Sequence, residues 1–165
     1  MWMTYRLSLF ILLFAFTTSC STEQHAPSDF SVQLSEEHNI ILITREAQTY
    51  TKSIQFNGDT TVKINITPLQ IDSIYQVLSS INYYAYPLSI TAKCTEKAIP
   101  SGEDYTLTVK ENNTSRTIRY YSECHRYDYN DKKGRDFRKV LATIIHMAER
   151  QKSVQGLPDS GFIDL

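Results

Sequence analysis

The stretch at residues 122–131, SECHRYDYND, is the part of the chain where potentially reactive side chains are most concentrated. Within ten positions lie one thiol, one imidazole and three carboxylates, those of Cys124, His125, Glu123, Asp128 and Asp131. Such a set could bind a metal ion, form a catalytic cluster or mark the polar end of a strand. Neighbouring residues of an extended chain point to opposite faces. Cys124 and His125 would therefore diverge, which disfavours both a thiolate–imidazole pair and a shared metal ion.

The rest of the sequence carries no recognisable catalytic or metal-binding pattern. No two histidines have the i, i+4 spacing of a helical zinc motif, and there is no GxSxG sequence or glycine-rich phosphate loop. Asp128, Asn130 and Asp131 could offer oxygen ligands to calcium, but the glycine and the final glutamate of a calcium-binding loop are missing. The sequence predicts no metal site, no cofactor and no enzymatic activity. An unrecognised hydrolase is the last of three functional alternatives.

The first twenty residues have the composition of a secretory signal peptide. A charged start, MWMTYR, precedes the apolar run LSLFILLFAF and the small-residue segment TTSC. The apolar run is shorter than the roughly 20 residues that a membrane-spanning helix needs.

A cysteine directly after small residues resembles the lipobox of bacterial lipoproteins, here Thr17-Thr18-Ser19-Cys20. The resemblance implies cleavage before Cys20 and acylation, palmitate included, of that cysteine. The whole chain is similar to small lipoproteins of Bacteroidota-type envelopes that have no assigned function. It implies a lipid-anchored protein of the cell envelope, in the outer membrane rather than the inner, facing the periplasm or the cell surface.

Four segments follow from this interpretation. They are a signal peptide at 1–19, a lipidated tether at 20–29, a single domain at 30–152 and a C-terminal tail at 153–165. The formal net charge is −1 and basic runs are absent, which argues against nucleic acid and against electrostatic docking to anionic lipid. Attachment to the membrane is therefore expected from the lipid alone.

The three cysteines of the chain have separate expected roles. With Cys20 assigned to the lipid, Cys94 and Cys124 are left in an exported, oxidising compartment. Such a pair favours a disulfide. The hairpin strand that ends near Cys124 and the segment that follows Cys94 are compatible with it.

Alternating and helical patterns predict how the domain is built. Residues 30–66 have strand character, and the hairpin around Asn57-Gly58 keeps its apolar residues on one face with a three-residue loop at 57–59. Thr67, Pro68 and Gln70 start a helix over 67–84 with a capping box. A second hairpin spans 104–122, and an amphipathic helix spans 134–152. The order strand–strand–helix, used twice, predicts an α+β domain: an antiparallel sheet of two hairpins with both helices packed on one face.

Tyrosine is the one unusual feature of the composition, with eleven in the chain. Two clusters, YYAY at 83–86 and YYSECHRYDY at 120–129, each follow the end of an element. The predicted binding surface consists of Tyr83, Tyr84, Tyr86, Tyr121, Tyr127 and Tyr129. Tyrosine is frequent in binding surfaces because its ring buries much area and keeps a polar tip. The alternative is that these rings edge the core of a small domain.

The expected function is therefore a non-enzymatic, membrane-tethered module that binds an envelope protein, including an inhibitor or immunity-like role. A glycan-binding module that uses the same tyrosines is the second alternative.

Overall fold

The computed structural model describes residues 24–92, 103–122 and 132–161. Its strands are β1 (Ser31–Glu36), β2 (Asn39–Ile43), β3 (Gln48–Ile54), β4 (Gly58–Lys63), β5 (Ser89–Ala92), β6 (Glu103–Glu111) and β7 (Thr114–Ser122). Its α-helices are α1 (Pro68–Ser80), α2 (Lys132–Glu149) and α3 (Lys152–Gln155), and a 3-10 turn spans Tyr83–Ala85.

The seven strands form one sheet in the order β4-β3-β2-β1-β6-β7-β5. Neighbours are antiparallel except β5 and β7, which run parallel. The α+β class is confirmed, but the sheet is larger than the two predicted hairpins, because β1, β2 and β5 add three strands. A strand as short as β5, with four residues, is too brief for its alternation to be distinguished from that of a loop.

Strand alternation divides the sheet into an inner and an outer face. On β1, Val32 and Leu34 are buried, and they lie opposite Ile43 and Ile41 of β2. The buried residues of α1 are Ile71, Ile74, Tyr75 and Leu78, and those of α2 include Phe137, Val140, Leu141, Ile144 and Ala148. All of these side chains belong to one core cluster. Both long helices therefore cover the inner face, and each uses the stripe that the sequence predicts.

Helix α1 begins where its capping residues predict. The Gln70 N–H donates to Thr67 Oγ1 at 3.3 Å, and the Thr67 N–H donates to Gln70 Oε1 at 2.8 Å, so two otherwise unpaired donors are satisfied. The helix ends at Ser80, earlier than predicted, because Asn82 takes the left-handed conformation with φ 51°. Residues 83–85 then form a separate 3-10 turn.

The β3–β4 hairpin has a three-residue loop, but its position differs from the prediction. Ile54 pairs with Gly58 and Tyr50 pairs with Val62, so the loop is Gln55-Phe56-Asn57 instead of residues 57–59. The predicted face survives this change for Tyr50, Ile54 and Val62, because the pairing moves by an even number of residues. It is wrong for Phe56, which was expected on the buried face and lies in the loop, 97% exposed.

Part of the segment predicted as a tether at 20–29 packs on the domain. The Ala26 N–H donates to Asp72 Oδ1 at 2.9 Å, and the Ala26 carbonyl accepts from Arg45 Nη2 at 2.7 Å. Ala26 and Phe30 are both buried. The predicted boundary at residue 30 therefore moves towards the N-terminus.

The predicted tail at 153–165 is also part of the domain as far as it is described. Ser153 Oγ donates to the Lys63 carbonyl at 2.8 Å. Further on, the Ser160 carbonyl accepts from the Gln55 N–H at 2.8 Å. Residues 153–160 thus run alongside the β3–β4 hairpin from one end to the other.

Candidate functional site

Two of the tyrosines in the predicted binding surface belong to the core. Tyr83 and Tyr86 are 2% and 5% exposed. The Tyr86 ring lies 5.8 Å from that of Phe137 on α2, and Lys133 Nζ lies 6.0 Å from its centroid. Their burial corrects the sequence interpretation for these two residues, because an enclosed ring cannot offer its face to a partner.

Tyr83 sits in a polar corner of the core with Tyr84 and Glu111. Burial raises the pKa of Tyr83, and the neighbouring Tyr84 hydroxyl and the Glu111 carboxylate raise that pKa further. Glu111 is one of the few buried polar residues in the part of the chain that the structure describes. The 3-10 turn and the end of β6 enclose this corner, so it is a structural contact between these two elements.

The two exposed tyrosines of the predicted surface that the structure describes, Tyr84 and Tyr121, lie on different elements. Tyr84 is 39% exposed and stacks at a 33° tilt on Tyr83, with ring centroids 4.3 Å apart. Tyr121 is 36% exposed and lies on the outer face of β7, opposite Asp104. Tyr127 and Tyr129 lie outside the described residues, as do Cys20, Cys94, Cys124 and the reactive groups at 123–131.

The outer face of the sheet is rich in hydroxyl groups. The strand residues with this orientation include Ser31, Ser35, Thr49, Thr51, Ser53, Thr61, Ser89, Thr91, Thr106, Thr108, Ser115 and Thr117. Two cross-strand pairs bond directly, Thr51 with Thr61 at 2.8 Å and Thr108 with Thr117 at 2.9 Å. Within the described ranges both long helices pack on the inner side, so no helix covers this face.

An open groove of about 530 Å³ crosses the outer face where β1 ends and β6 begins. Its lining residues are Ser35, Glu36, Glu37, Asp104, Thr106 and Arg119. They come from β1, the β1–β2 turn, β6 and β7, which the register brings side by side. The volume falls within the range of about 300–1,000 Å³ that is usual for ligand sites.

Asp104 and Arg119 form a two-point ion pair in this groove. Arg119 Nε donates to Asp104 Oδ1 at 3.1 Å, and Arg119 Nη2 donates to Asp104 Oδ2 at 2.5 Å. The guanidinium holds the pKa of Asp104 below its usual value. The pair fixes the orientation of both side chains, and its remaining donors and acceptors face an open surface.

The negative charge of the groove comes from Glu37. Its side chain is 72% exposed and lies 3.9 Å from His38 Nε2. Glu36 lines the groove at the end of β1, but strand alternation places its side chain on the inner face, like those of Val32 and Leu34, and Glu36 Oε2 accepts there from Asn39 Nδ2 at 3.2 Å. Asp104 is already paired with the Arg119 guanidinium. The groove attracts cationic groups at neutral pH.

The back of the groove is held by a contact with α2. Arg138 Nη2 donates to Glu103 Oε1 at 2.9 Å, and both side chains are 20% exposed. This ion pair fastens the first residue of β6 to the helix layer. The adjacent groove residue, Asp104, is thereby attached to a rigid strand.

Sequence reasoning missed the groove, although one signal for it was present. Along β6 the apolar residues Tyr105, Leu107 and Val109 alternate with polar ones, and the polar ones must face outwards. The pairing of Thr106 with Arg119 depends on the β6–β7 turn, where Asn112 and Asn113 both have positive φ. An Asn-Asn pair suits such a turn. Glu36 and Glu37 reach the groove because β1 pairs with β6. The local sequence pattern cannot predict their position.

Among the described residues, no three histidine, cysteine or acidic side chains are grouped so as to hold a metal ion. No described helix combines the length and apolar character that crossing a membrane requires.

Comparison with known proteins does not add a family to these observations. No family model matches the chain, and no significant similarity was found to a curated protein or to a solved structure.

Proposed function

We propose that the chain is a lipid-anchored, non-enzymatic module of the cell envelope that binds a protein partner through the outer face of its sheet. The observation that carries the proposal is the open groove on a sheet face that no described helix covers. A preformed, rigid surface loses little entropy on binding. An inhibitor or immunity-like role is the form of this function that would most need a domain held at the membrane.

The charge of the groove supports a partner with a basic surface. Glu37 contributes negative charge that the groove does not neutralise internally, since Arg119 is paired with Asp104. Charges at the edge of an interface mainly change the association rate and its dependence on salt. The partner is therefore expected to associate faster at low ionic strength.

A charge-neutralising variant tests the proposal. The lipidated protein is used to capture partners from its own envelope, and the purified partner is then titrated with Glu37→Gln. We expect binding to weaken by about threefold and its salt dependence to flatten. Glu46→Gln is the matched control, because Glu46 is exposed in the β2–β3 turn at the opposite end of the strands. Equal affinity of the wild type and Glu37→Gln would refute the groove as the docking surface.

Glycan binding is the second candidate, and Tyr121 favours it. The ring lies on the outer face, opposite Asp104 in register and next to the Asp104–Arg119 pair. A partly exposed aromatic ring beside planar polar groups is suited to stacking on a sugar while bonding its hydroxyls. A glycan array probed with wild type and Tyr121→Ala tests this function. Signals that are absent, or equal for both proteins, would remove it.

Two covalent features complete the proposal. Cys20 carries the lipid, as the sequence TTSC indicates, and holds the domain at the envelope, in the outer membrane rather than the inner. Cys94 and Cys124 form a disulfide. The parallel register of β5 and β7 supports this bond, because it pairs residues that differ by thirty positions, as the two cysteines do.

A further inference from the structure

Phe56 is the most exposed large apolar residue in the described part of the chain. It lies at the apex of the β3–β4 loop, and 97% of it is accessible to solvent. Its φ is 70°, in the left-handed region that side chains other than glycine and asparagine rarely adopt. An aromatic residue in this conformation contributes no packing to the fold and is disfavoured by its own backbone.

The neighbouring residues show that the loop does not need phenylalanine. Asn57 and Gly58 follow at once, and both residue types tolerate a positive φ. Asparagine at position 56 would relieve the backbone and keep the apex soluble. Neither the backbone of the loop nor the core therefore accounts for the phenyl ring.

The loop that presents Phe56 is held from both sides. The Asn57 N–H donates to the Ile54 carbonyl at 3.1 Å, and the Gln55 N–H donates to the Ser160 carbonyl at 2.8 Å. Gly161, with φ 72°, packs closely enough that an added Cβ would lie 3.6 Å from Gln55 Cβ. The C-terminal segment therefore braces the loop, and the ring is displayed on a fixed backbone.

We propose that Phe56 is the anchor by which the domain inserts one aromatic side chain into an apolar pocket of its protein partner. The identification of the partner as a protein rests on the proposed function. Buried aromatic anchors commonly provide much of the energy of protein interfaces, and preorganisation lowers the entropy that binding costs.

The surroundings of the ring favour a protein pocket over a lipid bilayer. Gln55, Asn57 and Asp59 flank it, so the loop offers a single apolar side chain and an acidic one. Stable insertion into a bilayer needs a larger apolar surface, usually with basic residues. The N-terminal segment that leads to the lipid contacts Asp72 and Arg45, and Arg45 lies in the β2–β3 turn at the other end of the strands.

The Phe56 loop lies at the same end of the sheet as the groove. The Ser53 N–H, near the end of β3, donates to the His38 carbonyl in the β1–β2 turn at 2.8 Å. Glu37 lies in the same turn and lines the groove. One partner can therefore contact the acidic groove and enclose the ring.

Photo-cross-linking in the native envelope identifies what the ring touches. A benzophenone amino acid is placed at position 56 of the full lipidated chain, and at position 69 as the control. Leu69 is also exposed, at 73%, but it lies in the first turn of α1, away from the loop. We expect one defined protein adduct from position 56 and no such adduct from position 69. Adducts to lipid alone, or to a second copy of this chain, would overturn the proposal.

Affinity for the purified partner then separates anchoring from folding. Phe56→Asn should bind at least tenfold more weakly with an unchanged or higher Tm, because asparagine suits the left-handed conformation. Leu69→Asn should leave the Tm unchanged and the affinity within twofold of the wild-type value. Retained affinity or a lowered Tm in Phe56→Asn would contradict the proposal. If Glu37→Gln weakens binding while Phe56→Asn does not, the proposed function stands and the anchor is lost.

Discussion

At the scale of single residues, adjacent tyrosines have opposite roles. Tyr83 points into the core and is 2% exposed, whereas Tyr84 is 39% exposed on the same 3-10 turn. The sequence YYAY does not distinguish them, because a 3-10 turn follows neither the helical nor the strand period. The left-handed Asn82 ahead of the turn sets which ring is buried.

Alanine substitutions at these two positions should separate core from surface. Tyr83→Ala removes a fully buried ring and should lower the free energy of unfolding by about 3–5 kcal/mol. Tyr84→Ala should cost about 1 kcal/mol or less, since its ring is partly solvated. Urea unfolding followed by circular dichroism measures both. Similar losses of unfolding free energy in the two variants would show that the 3-10 turn does not pack in this way.

Asp29 predicts how stability responds to acid. Its Oδ1 and Oδ2 accept the backbone N–H groups of Asn112 and Asn113 at 2.9 and 2.7 Å, which lowers the pKa of the carboxyl below its usual 3.8. A carboxyl whose pKa is lower in the folded state than in the unfolded state stabilises the protein at pH values above its unfolded-state pKa. This stabilisation is lost as the pH falls through the folded-state pKa. Asp29→Ala should therefore lower the Tm at neutral pH.

The difference in Tm between wild type and Asp29→Ala should shrink steadily below pH 4. Asp159→Ala serves as the control, because the Asp159 side chain is exposed. Thermal melts from pH 7 to pH 2.5 test the prediction. A difference in Tm that stays constant with pH would mean that the charge of Asp29 does not contribute to stability.

At the scale of elements, the parallel pairing of β5 with β7 is the feature with the widest consequence. The pairs run from Ser89 with Arg119 to Ala92 with Ser122, so partners differ by thirty positions. Cys94 comes two residues after Ala92, and Cys124 comes two residues after Ser122, so the two cysteines also differ by thirty positions. Neighbouring strands lie about 4.8 Å apart, within the Cα separations that a disulfide spans.

The register therefore predicts that Cys94 and Cys124 are joined. On the chain-entropy model, closing a loop of this size stabilises the fold by about 3.5 kcal/mol. Peptide mapping without reductant should give one linked pair of peptides that contain these cysteines. Two free thiols in protein purified from an oxidising compartment would disprove the disulfide.

At the scale of the whole molecule, the first and last described segments pack on the domain more than their composition indicates. His25 Nδ1 lies 2.7 Å from Asp72 Oδ2, and the Gln24 carbonyl accepts from Gln76 Nε2 at 3.4 Å. The hydrogen bonds from His25 and from the Ala26 N–H lower the pKa of the Asp72 carboxyl. If Cys20 bears the lipid, the four-residue step to Gln24 spans at most about 14 Å. The domain would then remain close to its membrane.

Replacing the lipid-bearing residue tests the anchor without disturbing the fold. Cys20→Ser should move the protein from the membrane fraction to the soluble fraction, because the lipid is its expected attachment. Its Tm should match that of the wild-type domain, since the contacts of residues 24–30 do not involve the lipid. Wild-type protein fractionated in parallel is the control. Continued sedimentation with membranes would count against the lipid anchor.

The sequence by itself determined the local elements of this protein. Capping residues and periodic stripes placed α1 and α2, and alternation placed the two hairpins, because these signals depend on neighbours along the chain. Only the tertiary structure decided how β1 joins the hairpins, where β5 pairs, and which tyrosines are buried. These depend on contacts between distant residues. The groove of Glu36, Asp104 and Arg119 exists only after three separate strands are aligned.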